Sequence, residues 1–254
     1  MFERLRAHDL QQRYGLIDAV RGFAVLNMIV YHLCYDLFST YSLGPGFEFN
    51  PGVIAWERFI CCTFFIISGM SLNFSQHGYR RGLIVSLGGF LITAVTLILV
   101  PSGVIWFGVL NCIGVCILVT FALRKALAKI PPAAGAAVSL LLFALLYGLP
   151  ERYIGFFGVP VFSLPEALYG CKYLAFLGLP SKYFFSADYF PILPWLFLYI
   201  FGFFLWRIIE AKGWDGFFRR RVPVLGFIGR HSFIIYLLHQ PALLGICFII
   251  FGHF

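Results

Sequence analysis

The sequence predicts an all-α fold: a polytopic transmembrane bundle of about seven helices, N-terminus cytoplasmic and C-terminus outside. Three observations lead there. The 254 residues are 61% hydrophobic and only 12% charged, so lipid is the solvent for most of the surface. The apolar residues gather in runs of about 20, the length a helix needs to cross a hydrocarbon core. Those runs lack the period-2 alternation of a barrel strand. Thirty-one Phe, 13 Tyr and 5 Trp supply rings for the membrane interfaces.

Spans are expected at 17–38, 54–74, 83–101, 104–123, 132–149, 190–209 and 226–250. The first opens with Asp18 and Arg21 and has no small-residue cleavage site behind it, so it reads as a retained helix and not a signal peptide. Pro101-Ser102-Gly103 is a compact turn between the third and fourth. The basic residues order the rest. Arg4, Arg6 and Arg13 precede the first span, Arg80 and Arg81 follow the second, and Arg124, Lys125 and Lys129 follow the fourth. Arg207, Lys212 and Arg219 to Arg221 lie between the sixth and seventh. All fall on one side if the N-terminus is cytoplasmic, and the opposite loops hold mainly Arg152, Lys172 and Lys182. The stretch 150–189 is apolar in places but broken by Pro160, Pro165, Gly170, Gly178 and Pro180. It reads as an external interfacial or partly re-entrant segment, not another span. Residues 1–254 form a single integral-membrane domain without internal repeat.

The net charge of +8 would suggest nucleic acid in a soluble protein; here it sets topology, and no nucleic acid is expected. Cys34, Cys61, Cys62, Cys112, Cys116 and Cys247 lie in apolar segments and read as small packing residues. No ligand set is complete, so no metal is implied.

Asp18, Arg21, His32 and Asp36 run as a stripe through the first span. At 100° per residue the last three fall within roughly 60° of Asp18, and they extend over about 27 Å. Ionisable groups inside a span need a partner, a wet cavity or a function. His32 and Asp36 are four apart and able to meet, so that the carboxylate orients an imidazole base for an incoming amine or hydroxyl; the alternative is a packing pair. Arg21 is either an anchor paired with Asp18 or a phosphate-holding fork. Ser68, beside Gly69, either packs helices or bonds a ligand, and Asn111 is a buried amide with the same choice. Asp188 either caps the sixth span or binds an acceptor. His239, two residues before Pro241, is the rival catalytic histidine. Arg230 is either an anchor or a phosphate contact. Arg58, near Glu57, is placed to pair with Asp36. His8, His77 and His253 lie at loops or termini and are given no role.

The segment from Arg21 to His32 resembles the Arg-x10-His pattern of acyltransferase-3-type membrane acyltransferases. More fully, the chain resembles the bacterial relatives of the heparan-α-glucosaminide N-acetyltransferase catalytic domain. The matching pieces are Arg21-Gly22-Phe23-Ala24, His32 with Asp36, and Phe64-Phe65-Ile66-Ile67-Ser68-Gly69-Met70-Ser71. They continue with Trp106-Phe107-Gly108-Val109-Leu110-Asn111-Cys112-Ile113-Gly114 and Asp188-Tyr189-Phe190-Pro191-Ile192-Leu193-Pro194-Trp195. The last are Gly229-Arg230-His231-Ser232 and Tyr236-Leu237-Leu238-His239-Gln240-Pro241. The resemblance implies transfer of an acetyl or other short acyl group from cytosolic acetyl-CoA to a glycan or glycolipid amine or hydroxyl on the outer side, with a histidine as catalyst. In the family's lysosomal member that histidine lies further towards the lumenal loop, so the acceptor stays open.

The expected function is thus a plasma-membrane acyltransferase. His32 and Asp36 are catalytic, Arg21, Ser68, Asn111 and Arg230 hold the donor, and Asp188 and His239 meet the acceptor. Its partners are acyl-CoA, a glycan-like acceptor and the bilayer, with a homo-oligomer compatible. The rivals are a proton-coupled transporter using the ionisable stripe and a small channel or non-catalytic membrane partner.

Overall fold

A computed structural model describes residues 14–44 and 46–252. Arg4, Arg6, His8, Arg13 and His253 lie outside the described residues, as does the side chain of Lys172. The protein is 73% helical. Among the described residues, seven helices are long and apolar enough to cross a membrane: Gly15–Thr40, Pro51–Leu72, Gly78–Leu99, Val109–Leu127, Pro132–Glu151, Ile192–Ala211 and Ser232–Phe251. The architecture is the all-α polytopic bundle that the hydrophobic runs predict, with boundaries shifted by up to six residues.

The chain divides into two compact units. Residues up to Ile67 and from Ile209 form the first, and Ser68–Ile208 the second.

In the first unit α1 (Gly15–Tyr35) continues into one π-helical turn, Asp36–Thr40. α2 (Pro51–Leu72) begins here. The core is Val25, Met28 and Ile60, flanked by Trp56, Phe64, Ile228, Ile235 and Tyr236. Trp56 Nε1 donates to Asn27 Oδ1 at 3.1 Å, tying α2 to α1. The expected seventh span at 226–250 is not continuous. Numbering the helices in chain order, a short α8 (Pro223–Arg230) is separated from α9 (Ser232–Phe251) by His231, which leaves the helical region at φ −99°, ψ 10°. The physical reason is glycine docking. A Cβ on Gly229 would lie 1.8 Å from the Asp18 carbonyl oxygen, and one on Gly22 would lie 2.0 Å from that of Leu225. Backbone-to-backbone contact of this kind holds helices together where lipid gives no hydrophobic drive. It turns α8 onto the start of α1 and leaves α9 to cross alone.

In the second unit α3 (Gly78–Leu99) and α4 (Val109–Leu127) pack along a seam of small residues. Gly89 faces Asn111 and Gly114 faces Ser86, with added Cβ atoms only 2.4 and 2.2 Å from Oδ1 and Oγ. α5 (Pro132–Leu146) follows a turn whose carbonyls are held by Arg207 of α6 (Ile192–Ala211). The guanidinium donates to Leu127, Ala128 and Ile130 at 3.2, 2.9 and 3.0 Å, satisfying the orphan C=O groups of the α4 terminus.

The 150–189 stretch holds short 3₁₀ turns and, against expectation, an antiparallel hairpin: β1 (Tyr153–Phe156) and β2 (Val159–Ser163). The turn pair Phe157-Gly158 has φ of 38° and 91°, as a two-residue hairpin loop requires. The Phe157 ring sits 5.4 Å from that of Tyr147 and 6.1 Å from that of Phe143, which anchors the tip. After α6 comes the short α7 (Asp215–Phe218), in the first unit.

Candidate functional site

α1 and α9 pack together in the first unit and carry four polar residues at their contact: His32 and Asp36 from α1, His239 and Gln240 from α9. The imidazoles of His32 and His239 face each other with ring centroids 4.8 Å apart, tilted by 60°. His32 also meets the Tyr31 ring edge-on at 5.6 Å. His239 Nδ1 lies 2.6 Å from the Tyr236 carbonyl oxygen. A carbonyl only accepts, so Nδ1 carries the proton and Nε2 keeps its lone pair. That Nε2 is buried and has no hydrogen-bond partner among the described residues.

Asp36 is 1% exposed. Its oxygens accept from Gln240 Nε2 at 2.9 and 3.1 Å. The expected His32–Asp36 bond is therefore corrected: among the described residues His32 makes no hydrogen bond, and the carboxylate is committed to α9. The cause is tertiary. The backbone is still α-helical from His32 to Asp36, whose N–H bonds the His32 carbonyl, so the i, i+4 spacing is kept; the carboxylate turns instead to the Gln240 amide of α9. Arg58 does not reach Asp36 either; it lies 3.7 Å from Glu57.

At the other end of α1, Arg21 Nη1 meets Asp18 Oδ1 at 2.9 Å, both side chains 17% exposed. Gly229 rests on the Asp18 backbone and Gly15 on that of Arg220, within 2.7 Å of an added Cβ. These contacts gather Arg21, Arg220, Arg221 and the exposed Arg230 at the same end of α1. By helical rise Arg21 and His32 are about 16 Å apart. Within the π-helical turn, Ser39 Oγ donates to Glu48 at 2.5 Å, and this bond holds the Glu48 carboxyl below its usual range.

The other expected site residues belong to the second unit. Ser68 Oγ accepts from Arg81 Nη2 at 3.5 Å and its carbonyl from Tyr199 at 3.1 Å. Gly69 beside it lies on the Tyr199 carbonyl, 2.1 Å from an added Cβ, as close helix packing requires. Asn111 packs across Gly89, with Oδ1 buried and lacking a hydrogen-bond partner among the described residues. Asp188 does not cap the sixth span, which starts at Ile192. Its Oδ2 accepts from the Val109 N–H at 3.3 Å, at the start of α4. Bonds from Ala187 to Val104 and from Phe190 to Phe107 hold the two loops side by side, so the carboxylate meets the positive end of a different helix.

Gln240 is the residue missed in the sequence. Its signal was present: an amide directly after a histidine in an apolar span, just before Pro241.

The family model described as heparan-alpha-glucosaminide N-acetyltransferase, catalytic, matches residues 13–241. Comparison with curated proteins and with solved structures gives no match. The match takes in both ends of α1, the α3–α4 seam and the His239–Gln240 step. The chain belongs to the heparan-alpha-glucosaminide N-acetyltransferase catalytic-domain family, a family of membrane acetyltransferases.

Proposed function

We propose that the protein transfers an acetyl group from cytosolic acetyl-CoA to an amine or hydroxyl of a glycan or glycolipid on the outer side of the plasma membrane. The observation that carries this reading is the facing pair of imidazoles, one holding a fixed tautomer with a buried lone pair. Such a nitrogen takes the proton of an incoming amine or hydroxyl as the acceptor forms its bond to the thioester carbonyl; the C–S bond then breaks and CoA leaves as the thiol. Transient acylation of an imidazole is the two-step form of the same chemistry. His32 and His239 are the catalytic residues in this reading.

The basic loops support a cytoplasmic N-terminus. That orientation puts Arg21 and Arg230 where CoA phosphates arrive, and a pantetheine arm is long enough to cover the distance to His32. The 150–189 segment covers the outer side, and the whole chain acts as one catalytic domain.

The test uses the full chain in lipid nanodiscs with acetyl-CoA and a panel of amino and hydroxyl sugars. Stoichiometric CoA release with acetylated product is expected, lost in His32→Ala that still binds CoA. Solute movement without thioester consumption would replace the enzyme by the transporter.

A further inference from the structure

Asp36, one helical turn beyond His32 on α1, meets Gln240, the residue after His239 on α9. Both Asp36 oxygens accept from Gln240 Nε2, so the amide oxygen Oε1 is turned away from the carboxyl group. That Oε1 is buried and has no hydrogen-bond partner among the described residues, and neither has the Nε2 of His239 next to it in sequence. Buried acceptors are normally filled. Two vacant ones on consecutive residues, one of them oriented by a dedicated partner, make a place for hydrogen-bond donors of a ligand.

We propose that Gln240 is a substrate-binding residue, its amide oxygen aimed by Asp36 to accept a hydrogen bond from an N–H or O–H group of the reactants. Asp36 is then a positioning residue that acts through Gln240 and not through His32. The inference rests on the acyltransferase reading above. The donor group has two sources with the same chemistry: an amide of the pantetheine arm, or the amine or hydroxyl of the acceptor.

The experiment measures acetyl transfer by the full chain in nanodiscs, with acetyl-CoA as donor and glucosamine as acceptor. Gln240→Leu is expected to lower transfer by about ten- to a hundred-fold, the effect of one lost hydrogen bond in a buried site. A rise in KM confined to acetyl-CoA assigns the bond to the pantetheine arm, and one confined to glucosamine assigns it to the acceptor. A fall in kcat with both KM values held places the bond in the transition state. Asp36→Asn, which frees Gln240 to face either way, is expected to lose a few-fold with unchanged melting temperature. The double variant Asp36→Leu with Gln240→Leu removes both partners together, so no polar group is stranded and the helices stay packed. If that variant folds and transfers at the wild-type rate, the pair is structural and the proposal is overturned. If it does not fold, Asp36→Asn decides, and unchanged kcat and KM values there overturn it. A wild-type chain that releases no CoA with glucosamine or any other sugar tested removes the acyltransferase reading itself, and this inference with it.

Discussion

The α1–α8–α9 corner and the α3–α4 seam both bury polar atoms without partners, yet they bury them differently. Along α3 the small residues continue from Gly82 through Ser86 to Gly89, so the seam is closed over its polar groups: an atom added at Gly89 or Gly114 has nowhere to go. Along α1 the glycine contacts stop at Gly22, and at His32 and Asp36 side chains meet the neighbouring helix, ring to ring and carboxylate to amide. A buried orphan in a closed seam is a cost of packing. The same orphan on a contact between side chains is available to something that enters. Burial by itself therefore does not mark a site; burial at such a contact does.

Gly229→Val tests the corner most severely. The added atoms collide with backbone that cannot yield, so loss of the folded species is expected in detergent size-exclusion, against about 1–3 kcal/mol for ordinary overpacking. Gly82→Ala, where an added atom meets the Leu118 side chain at 2.7 Å and backbone only at the Gly114 carbonyl oxygen, 3.1 Å away, is expected to stay folded. Equal behaviour of the two would abolish the distinction between corner and seam.

His32→Ala and His239→Ala come next. Each is expected to lower CoA release by about 10²–10⁴-fold with the size-exclusion profile intact. Asn111→Leu, in the seam, is expected to shift the melting temperature and leave kcat unchanged. A raised KM for acetyl-CoA in that variant would make Asn111 a donor contact and open the seam to ligand.

Arg230→Gln is expected to raise KM for acetyl-CoA only a few-fold, because an exposed cation is screened. The difference from wild type should shrink as salt rises; a constant difference would assign Arg230 to packing of α8.

The smallest effect is at the π-helical end of α1. The Ser39 bond depresses the Glu48 pKa, so it adds stability above the usual carboxylate range and loses it as pH falls through the folded value. Ser39→Ala should flatten that acid-side decline in a thermal-shift series, by little, since Glu48 is solvent-accessible.

The spans and their number were legible because hydrophobic run length is a strong, local signal. So was the Asp18–Arg21 pair, which depends only on i, i+3 spacing. The His32–Asp36 pair failed for an instructive reason: the two keep their i, i+4 spacing on α1, but the carboxylate takes its hydrogen-bond partner from α9. Nothing within α1 announces that partner, which lies 204 residues away. The hairpin was missed because its turn is Phe157-Gly158 in place of Asn-Gly, and an aromatic contact with α5 compensates for the poor turn residue. Asp188 was read against its own helix, whereas loop pairing delivers it to α4. In each case the missing information was tertiary.

Pro241 lies inside α9, immediately after the two residues that meet α1. A ring nitrogen without hydrogen leaves one step of the helical ladder empty. α9 therefore runs one backbone hydrogen bond short directly beside the paired imidazoles, at the place where it meets α1.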